Sequence, residues 1–325
     1  MNSTKKYREI IDRSISELKF GEKPENLYGP VNYFMNMGGK RLRPMLVLMS
    51  FNLFSDGLPD TVVRSAMAVE TFHNFTLMHD DIMDNAPLRR GMPTVHEKWN
   101  LNTAMLSGDV MLVRTYDLFL GLDPKVMRIT IKKFNDCAAM VCEGQQLDMD
   151  FENSDRVTEA SYLEMIRLKT AVLIGFSLEL GAILGNAEER DVQLMKEFGT
   201  QIGIGFQLKD DLLDVYADNA KFGKQIGGDI IANKNTYLLI KARELAKGPM
   251  KKELDNWINT KETDHTKKVA AVTSIYNDLG IRKLTSDKIS EYISKGTEAL
   301  KNVGAPEQRK KDLYEFTEEL VLREN

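Results

Sequence analysis

Six aspartates carry the chemistry that reads most directly from this chain. Asp80, Asp81 and Asp84 stand in HDDIMD, and Asp210, Asp211 and Asp214 in KDDLLD, the same DDxxD spacing twice. At about 100° per residue, each trio falls within roughly a 100° arc of one helix face. Like charges at i,i+4 cost a helix about 0.2–0.5 kcal/mol, and carboxylates near its C-terminus oppose the macrodipole by roughly 0.3–1 kcal/mol more. One such trio reads as a solvated acidic face. A sequence that accepts the penalty twice points to a divalent cation that reverses the sign of the repulsion. All-oxygen donors select a hard ion, Mg²⁺ or Mn²⁺, over zinc. Mg²⁺ takes few carboxylates and completes its shell with water and substrate phosphates, so two clusters facing one another would imply a polyphosphate.

A polyphosphate needs further cations. Gly38-Gly39-Lys40-Arg41-Leu42-Arg43-Pro44, Arg89-Arg90-Gly91, Lys169-Thr170, Lys224 and Lys234 supply them. Arg suits bidentate contact with phosphate oxygens, Lys supplies a point charge, and glycine lets the backbone approach an anion. A lone Lys is more simply a surface charge. The Arg89-Arg90 pair, five residues after Asp84, is harder to read that way. Residues 85–98 and 218–235 form two basic, glycine-containing loops, each directly following an acidic cluster.

Long helical patterns must position these groups. Residues 61–84 run without Gly or Pro, with Pro59 and Asp60 as a start signal and Pro87 just past the end. Residues 157–184 and 188–217 carry similar patterns. Short alternating β-branched runs between turn dipeptides are nearly absent. No low-complexity linker or composition shift divides the chain, so the expectation is one all-α domain of many helices over residues 1–325.

Composition narrows the function. The chain is 42% hydrophobic and 28% charged, an ordinary globular balance. Its net charge is −4 with both signs mixed, which argues against a nucleic-acid or anionic-membrane partner. Cys137 and Cys142 lie five apart in one helical pattern and read as buried small apolar residues, not as a disulfide or zinc site. The N-terminus has no apolar signal region. Residues 44–54 are too short to span a bilayer, and residues 171–184 are interrupted by Glu179. The reading is a cytoplasmic protein with no transmembrane segment. Gly203 and Gly205 make no dinucleotide fingerprint, because no strand precedes them. His96 and His265 read as structural or exposed.

Together these residues resemble the trans-isoprenyl diphosphate synthases, the polyprenyl synthetase family. GGKRLRP, DDIMDNAPLRRGMPT, Lys169-Thr170, GFQLKDDLLD and the GK…NK loop occur in that family's order, over about residues 38–235. The resemblance implies an all-α fold of mostly antiparallel helices around a deep central cavity, as a homodimer. It implies head-to-tail condensation of isopentenyl diphosphate with a C5–C15 allylic diphosphate, with three Mg²⁺ per active site and Mn²⁺ as a substitute. Asp80 and Asp84, with Asp81, would bind metal on the allylic diphosphate, and Asp210, with Asp211 and Asp214, a further Mg²⁺. Arg89, Lys169 and Lys224 match residues that grip the allylic diphosphate, with Lys234 close by. Lys40, Arg43, His73 and Arg90 match the isopentenyl diphosphate pocket. Thr170 and Gln207 match polar groups at the reacting centre.

Chain length in that family is limited by an aromatic residue five positions before the first motif, here Phe75. It is followed by small Thr76, with Phe72 a turn further back, although Phe72 and Phe75 read equally well as core. The pattern is most like synthases of the C20 geranylgeranyl product, with C15 farnesyl second. A longer-chain synthase and a non-catalytic partner subunit remain alternatives. A metal-dependent phosphohydrolase is suggested by His73 and His79-Asp80, but the chain has only 4 His and that reading leaves DDLLD unexplained. A terpene cyclase would carry an Asn/Ser/Glu metal motif in place of DDLLD. Three departures stand out. His73 replaces a common Gln, Arg41 is an extra cation beside Lys40 and Arg43, and the family's basic C-terminal tail has no clear match beyond Arg309, Lys310 and Lys311.

Overall fold

Apolar residues at helical spacing fold into α1 (Ser3–Glu17), α2 (Glu25–Met35), α3 (Leu42–Phe54), α4 (Asp60–Met83), a short ribbon of β1 (Leu88–Arg89) and β2 (Met92–Pro93), α5 (Val95–Lys98), α6 (Leu101–Asp117) and α7 (Pro124–Glu152). Then come α8 (Glu159–Ile166), a π-helical turn over Arg167–Ala171, α9 (Val172–Leu184), α10 (Glu189–Tyr216), α11 (Gly228–Ile231), α12 (Tyr237–Leu245), α13 (Gly248–Asn259), α14 (His265–Asp278), α15 (Ile281–Lys301) and α16 (Glu307–Leu322). This computed structural model describes residues 3–152, 154, 156–217, 227–259 and 264–322. The all-α expectation holds, with the two-residue strands of the ribbon as the exception among the described residues. The chain forms two compact units: Met1–Asn135 with Phe176–Lys196 and Gly304–Asp312, and Asp136–Gly175 with Glu197–Val303 and Leu313–Asn325.

In the first unit, α3 is apolar on every side, and each residue from Pro44 to Phe51 is buried, as expected of a central core helix. α4 packs against α3 and α6. It starts after Pro59, has Asp60 in its first turn where the macrodipole favours a carboxylate, and ends at Asp84 as C-cap. Glu179, the charge that interrupts the apolar run of α9, is 1% exposed and neutralised by Lys133 at 2.6 Å and Lys196 at 3.5 Å. Two of the basic residues near the C-terminus bond within this unit. Arg309 donates to Asn52 O at 3.3 Å and to Asp56 at 2.8 Å, and buried Lys310 pairs with Glu307.

In the second unit, Ile166, Ala171, Ile204, Leu208, Leu212, Leu238, Ile275 and Ile281 share one apolar core. α8 begins at a capping box, where Thr158 and Ser161 satisfy each other's backbone N–H groups. The run expected to be helical over 157–184 is broken by the π-helical turn. A glycine on each of two neighbouring helices lets them approach the turn closely. A Cβ on Gly144 of α7 would lie 2.2 Å from the Lys169 backbone nitrogen, and a Cβ on Gly203 of α10 would lie 2.7 Å from Ala171 Cα. Backbone therefore packs on backbone at this turn, and π-helical turns recur at functional sites. Of the two cysteines expected to be buried, Cys137 is, and Cys142 is exposed on α7.

Candidate active site

The first unit gathers its charged groups where α4 ends. Asp84 is exposed and caps the helix, with its N–H donating to Asp80 O at 2.8 Å. The Asp80 side chain is 18% exposed. Asp81 instead points inward and is 1% exposed. The ribbon brings Arg89 back onto it, because Arg90 (φ 54°) and Gly91 (φ 76°) turn the chain in the left-handed region that tight hairpins require. Thr94 fastens the ribbon by donating to Ala86 O at 2.8 Å. Arg89 Nε then donates to Asp81 Oδ1 at 2.7 Å, and Nη2 lies 3.4 Å from Asp80 Oδ2. Asp81 Oδ2 is buried without a hydrogen-bond partner among the described residues. Burial pushes the Asp81 carboxyl up to about 6, against the pull of Arg89.

Beside this end stand the cations expected to hold a second anion. Gly38 (φ 79°) and Gly39 (φ 137°) turn the chain so that the Arg90 guanidinium rests on Gly39, where a Cβ would come within 2.8 Å, and Arg90 Nη1 donates to Gly38 O. Lys40 is exposed. Arg43 Nη1 lies 3.1 Å from His73 Nε2. Arg can only donate, so His73 accepts through Nε2 and carries its proton on Nδ1. Burial first, then the charges of Arg43, Arg90, Arg89 and Arg41, hold the His73 imidazole well below its usual range, and it is neutral. Arg41, read from sequence as an extra cation for a ligand, is not one. Its side chain is 3% exposed and bonded to Glu70 at 2.6 Å.

The expected chain-length residues lie on α4 above Asp80. Phe72 is 1% exposed and packs edge-on to Phe134 at 5.0 Å. Phe75 is 9% exposed and stacks between Phe72, at 5.7 Å, and His79, at 4.7 Å. Thr76 is half-buried and donates to His73 O at 2.8 Å. His79 faces α6. Its Nε2 lies 3.1 Å from Met105 O, over Gly108, where a Cβ would meet the ring at 2.2 Å.

In the second unit, the π-helical turn and α10 build a polar relay. Thr170 donates to Gln207 Oε1 at 3.0 Å, and Gln207 Nε2 donates to Asp211 Oδ1 at 3.1 Å. Tyr162 donates its hydroxyl to Asp211 Oδ2. Asp211 is 5% exposed, and burial followed by the charge of Asp229 raises its carboxyl well above the usual range. Lys169 Nζ pairs with Asp148 at 2.6 Å. Asp210 is partly exposed. Asp214 Oδ2 accepts from the Asp229 N–H at 3.0 Å, which brings Asp229 to the second motif. Lys234 is exposed in the turn after α11, where Lys268 holds the neighbouring Asn233 side chain at 2.7 Å. Lys224 lies outside the described residues.

The two motifs therefore share one arrangement, with the middle Asp turned inward and the outer two partly or fully exposed. Among the described residues, no three His, Cys, Asp or Glu side chains converge to hold a metal by themselves. The donors these aspartates offer are carboxylate oxygens. A few carboxylates completed by phosphate and water suit Mg²⁺, so the residues fit that ion. Sequence reading missed Asp148, Tyr162 and Asp229. Only Asp229 carried a signal, its place after Gly227-Gly228 in a flagged loop. Asp148 and Tyr162 reach their partners across 21 and 49 residues.

Comparison with known proteins adds to this geometry. The profile of the polyprenyl synthetase family matches residues 24–276. The geranylgeranyl diphosphate synthase of Methanosarcina mazei is 40% identical over 236 residues, 72% of each chain. The geranylfarnesyl diphosphate synthase of Natronomonas pharaonis is 38% identical over 255 residues, 73% of this chain and 74% of that protein. A crystal structure of a geranylgeranyl pyrophosphate synthase superposes with a TM-score of 0.94 at 40% identity, covering 100% of both chains.

Proposed function

The chain belongs to the polyprenyl synthetase family, and on that premise we propose that it joins isopentenyl diphosphate head-to-tail to an allylic diphosphate. The product is a short-chain all-trans prenyl diphosphate of geranylgeranyl (C20) length, in keeping with the relatives named for that product. Residues 1–325 act as one catalytic domain in this reading. The observation that carries it is the end of α4, where partly exposed Asp80 and exposed Asp84 stand with Arg89 and a neutral His73 held by Arg43.

Asp80 and Asp84 in the first unit, and Asp210 and Asp214 in the second, are the carboxylates that would hold Mg²⁺. The chemistry the ion would supply there is positive charge against the departing diphosphate. As the C–O bond of the allylic diphosphate breaks, Arg89 is the diphosphate-binding cation of the first unit, and Lys169, Lys224 and Lys234 are those of the second. The C3–C4 double bond of isopentenyl diphosphate, held by Lys40, Arg43, Arg90 and His73, attacks the allylic cation and forms the new C–C bond. A proton leaves C2 of the isopentenyl unit for the released diphosphate, so no side-chain base is required. Thr170 and Gln207 orient polar contacts at the reacting centre, and Phe75 ends the tail pocket.

Exposed Leu101, Met105, Leu106 and Val113 on α6 support a homodimer, since such an apolar stripe favours a partner surface. No helix among the described residues is long and apolar enough to cross a membrane, and we place the protein in the cytoplasm. The test is a product assay with purified protein, Mg²⁺, isopentenyl diphosphate and each of the C5, C10 and C15 allylic diphosphates. A C20 alcohol after dephosphorylation is the expected result. No condensation with any primer would overturn the reading.

A further inference from the structure

Two cross-links join the start of α3 to α4, and the reaction above uses only one of them. Arg43 meets His73. Two residues earlier on the loop and one turn earlier on the helix, Arg41 meets Glu70. This second link is buried, with side-chain exposures of 3% and 2%. Arg41 Nη1 donates to Glu70 Oε1 at 2.6 Å and Nη2 to Met35 O at 2.7 Å. Asn74, fully buried, donates to Glu70 Oε1 at 3.2 Å and to Glu70 O at 2.7 Å.

A buried ion pair is a poor source of stability, because desolvation offsets the attraction and apolar residues of similar volume often serve as well. Position explains this one better. Arg41 is the N-cap of α3 and adopts φ 52°, ψ 35°, a left-handed conformation that a residue with a side chain seldom takes. With Gly38 and Gly39 also at positive φ, the chain turns sharply around the Arg41 side chain. That side chain is drawn inward, while its neighbour Lys40 stays exposed and Arg43 reaches His73. Arg8 Nη1 holds the same loop by donating to Lys40 O at 3.1 Å. Charge points the same way. Glu70 acts on Arg90, and four guanidinium groups act on His73. Unless Arg41 neutralised it, the Glu70 carboxylate would compete with a diphosphate for those cations.

We propose that Arg41 and Glu70 are positioning residues for the isopentenyl diphosphate subsite, touching no substrate but setting the places of Lys40, Arg43 and His73. The inference rests on the function proposed above. Its test is the double variant Arg41→Met/Glu70→Met, which removes both charges together, alongside Arg41→Lys, which keeps the charge but not the two-fold grip. Circular dichroism establishes folding. KM is measured separately for isopentenyl diphosphate and for the allylic primer, and inorganic pyrophosphate binding is followed by calorimetry. The expected result is a folded double variant whose KM for isopentenyl diphosphate rises at least tenfold, with the allylic KM within about twofold of the parent. Arg41→Lys should fall between, and it carries the same test if the double variant fails to fold. Unchanged isopentenyl KM in a folded variant, or equal changes in both KM values, would overturn the proposal. If the parent protein condenses nothing, the function above fails instead, and a loss of pyrophosphate affinity in the variants still bears on the pair.

Discussion

Arg89 donates from Nε to Asp81 at 2.7 Å while its Nη2 stands 3.4 Å from Asp80. One guanidinium thus ties down the middle carboxylate of the first motif and faces an outer one. In the second motif, Tyr162 and Gln207 hold Asp211 from either side and leave Asp210 partly open. The middle position in each case is a hydrogen-bonding anchor.

Outer and middle aspartates should therefore fail differently. Asp80→Ala or Asp210→Ala should lower turnover by orders of magnitude in a folded protein, since losing either eases like-charge repulsion. Chelation with EDTA should abolish turnover and added Mg²⁺ restore it. Tyr162→Phe should cost about 1–3 kcal/mol in a urea titration, because it strips a buried carboxyl of a donor. Full activity in both alanine variants would sink the metal assignment.

His73 makes stability depend on pH in a definite direction. Its folded-state affinity for protons is well below the ordinary value of 6.5, so below that pH the unfolded chain binds a proton that the folded protein refuses. Its contribution is complete above about pH 6.5 and declines as pH falls, by at most about 1.4 kcal/mol per unit. His73→Gln should flatten the loss of stability between pH 7 and pH 5 by about 1–2 kcal/mol. Urea midpoints at the two pH values measure this, and parallel curves for both proteins would refute it.

Phe75 and Phe72 should separate specificity from packing. Phe75→Ala opens the space between Phe72 and His79 and should shift the products beyond C20. Phe72→Ala removes a ring from an aromatic cluster with Phe134 and should cost about 3–5 kcal/mol of stability. Chromatography of dephosphorylated products decides the first case. An unaltered distribution would rule Phe75 out as the pocket floor.

Gly144→Ala should disable the protein without touching substrate. The added Cβ would lie 2.2 Å from the Lys169 nitrogen, so the π-helical turn must shift and carry Lys169 and Thr170 with it. A loss of at least about tenfold in kcat is expected, since small displacements of positioned groups are costly. Wild-type kcat would mean that the turn tolerates movement.

Sequence spoke most clearly where the signals were local. The helix expected over 61–84 is α4, Asp60–Met83, and the one expected over 188–217 is α10, Glu189–Tyr216. Pro59 and Pro87 bracket the first, and apolar spacing marks both. The π-helical turn was illegible because the glycines it packs against, Gly144 and Gly203, lie on other helices. The β1–β2 ribbon has strands of 2 residues, too short for any alternation to register. Spacing put each Asp trio on one helix face but gave no sign of which carboxylate turns inward. That depends on Arg89, eight residues after Asp81, and on Tyr162, 49 residues before Asp211. Arg41 looked like one more ligand-facing cation for the same reason, since Glu70 is 29 residues away.

The π-helical turn at Arg167–Ala171 also sets a phase. A turn closed by i→i+5 bonds carries one surplus residue, so the helical segments on its two sides are out of step by about 100°. Deleting a single residue there would give an unbroken α-helix that propensity alone would favour. It would also rotate the Lys169 and Thr170 side chains away from Asp148 and Gln207. Such a shortened chain would keep its helix content and lose the relay, so at this point in the sequence length is as much a part of the active-site code as residue identity.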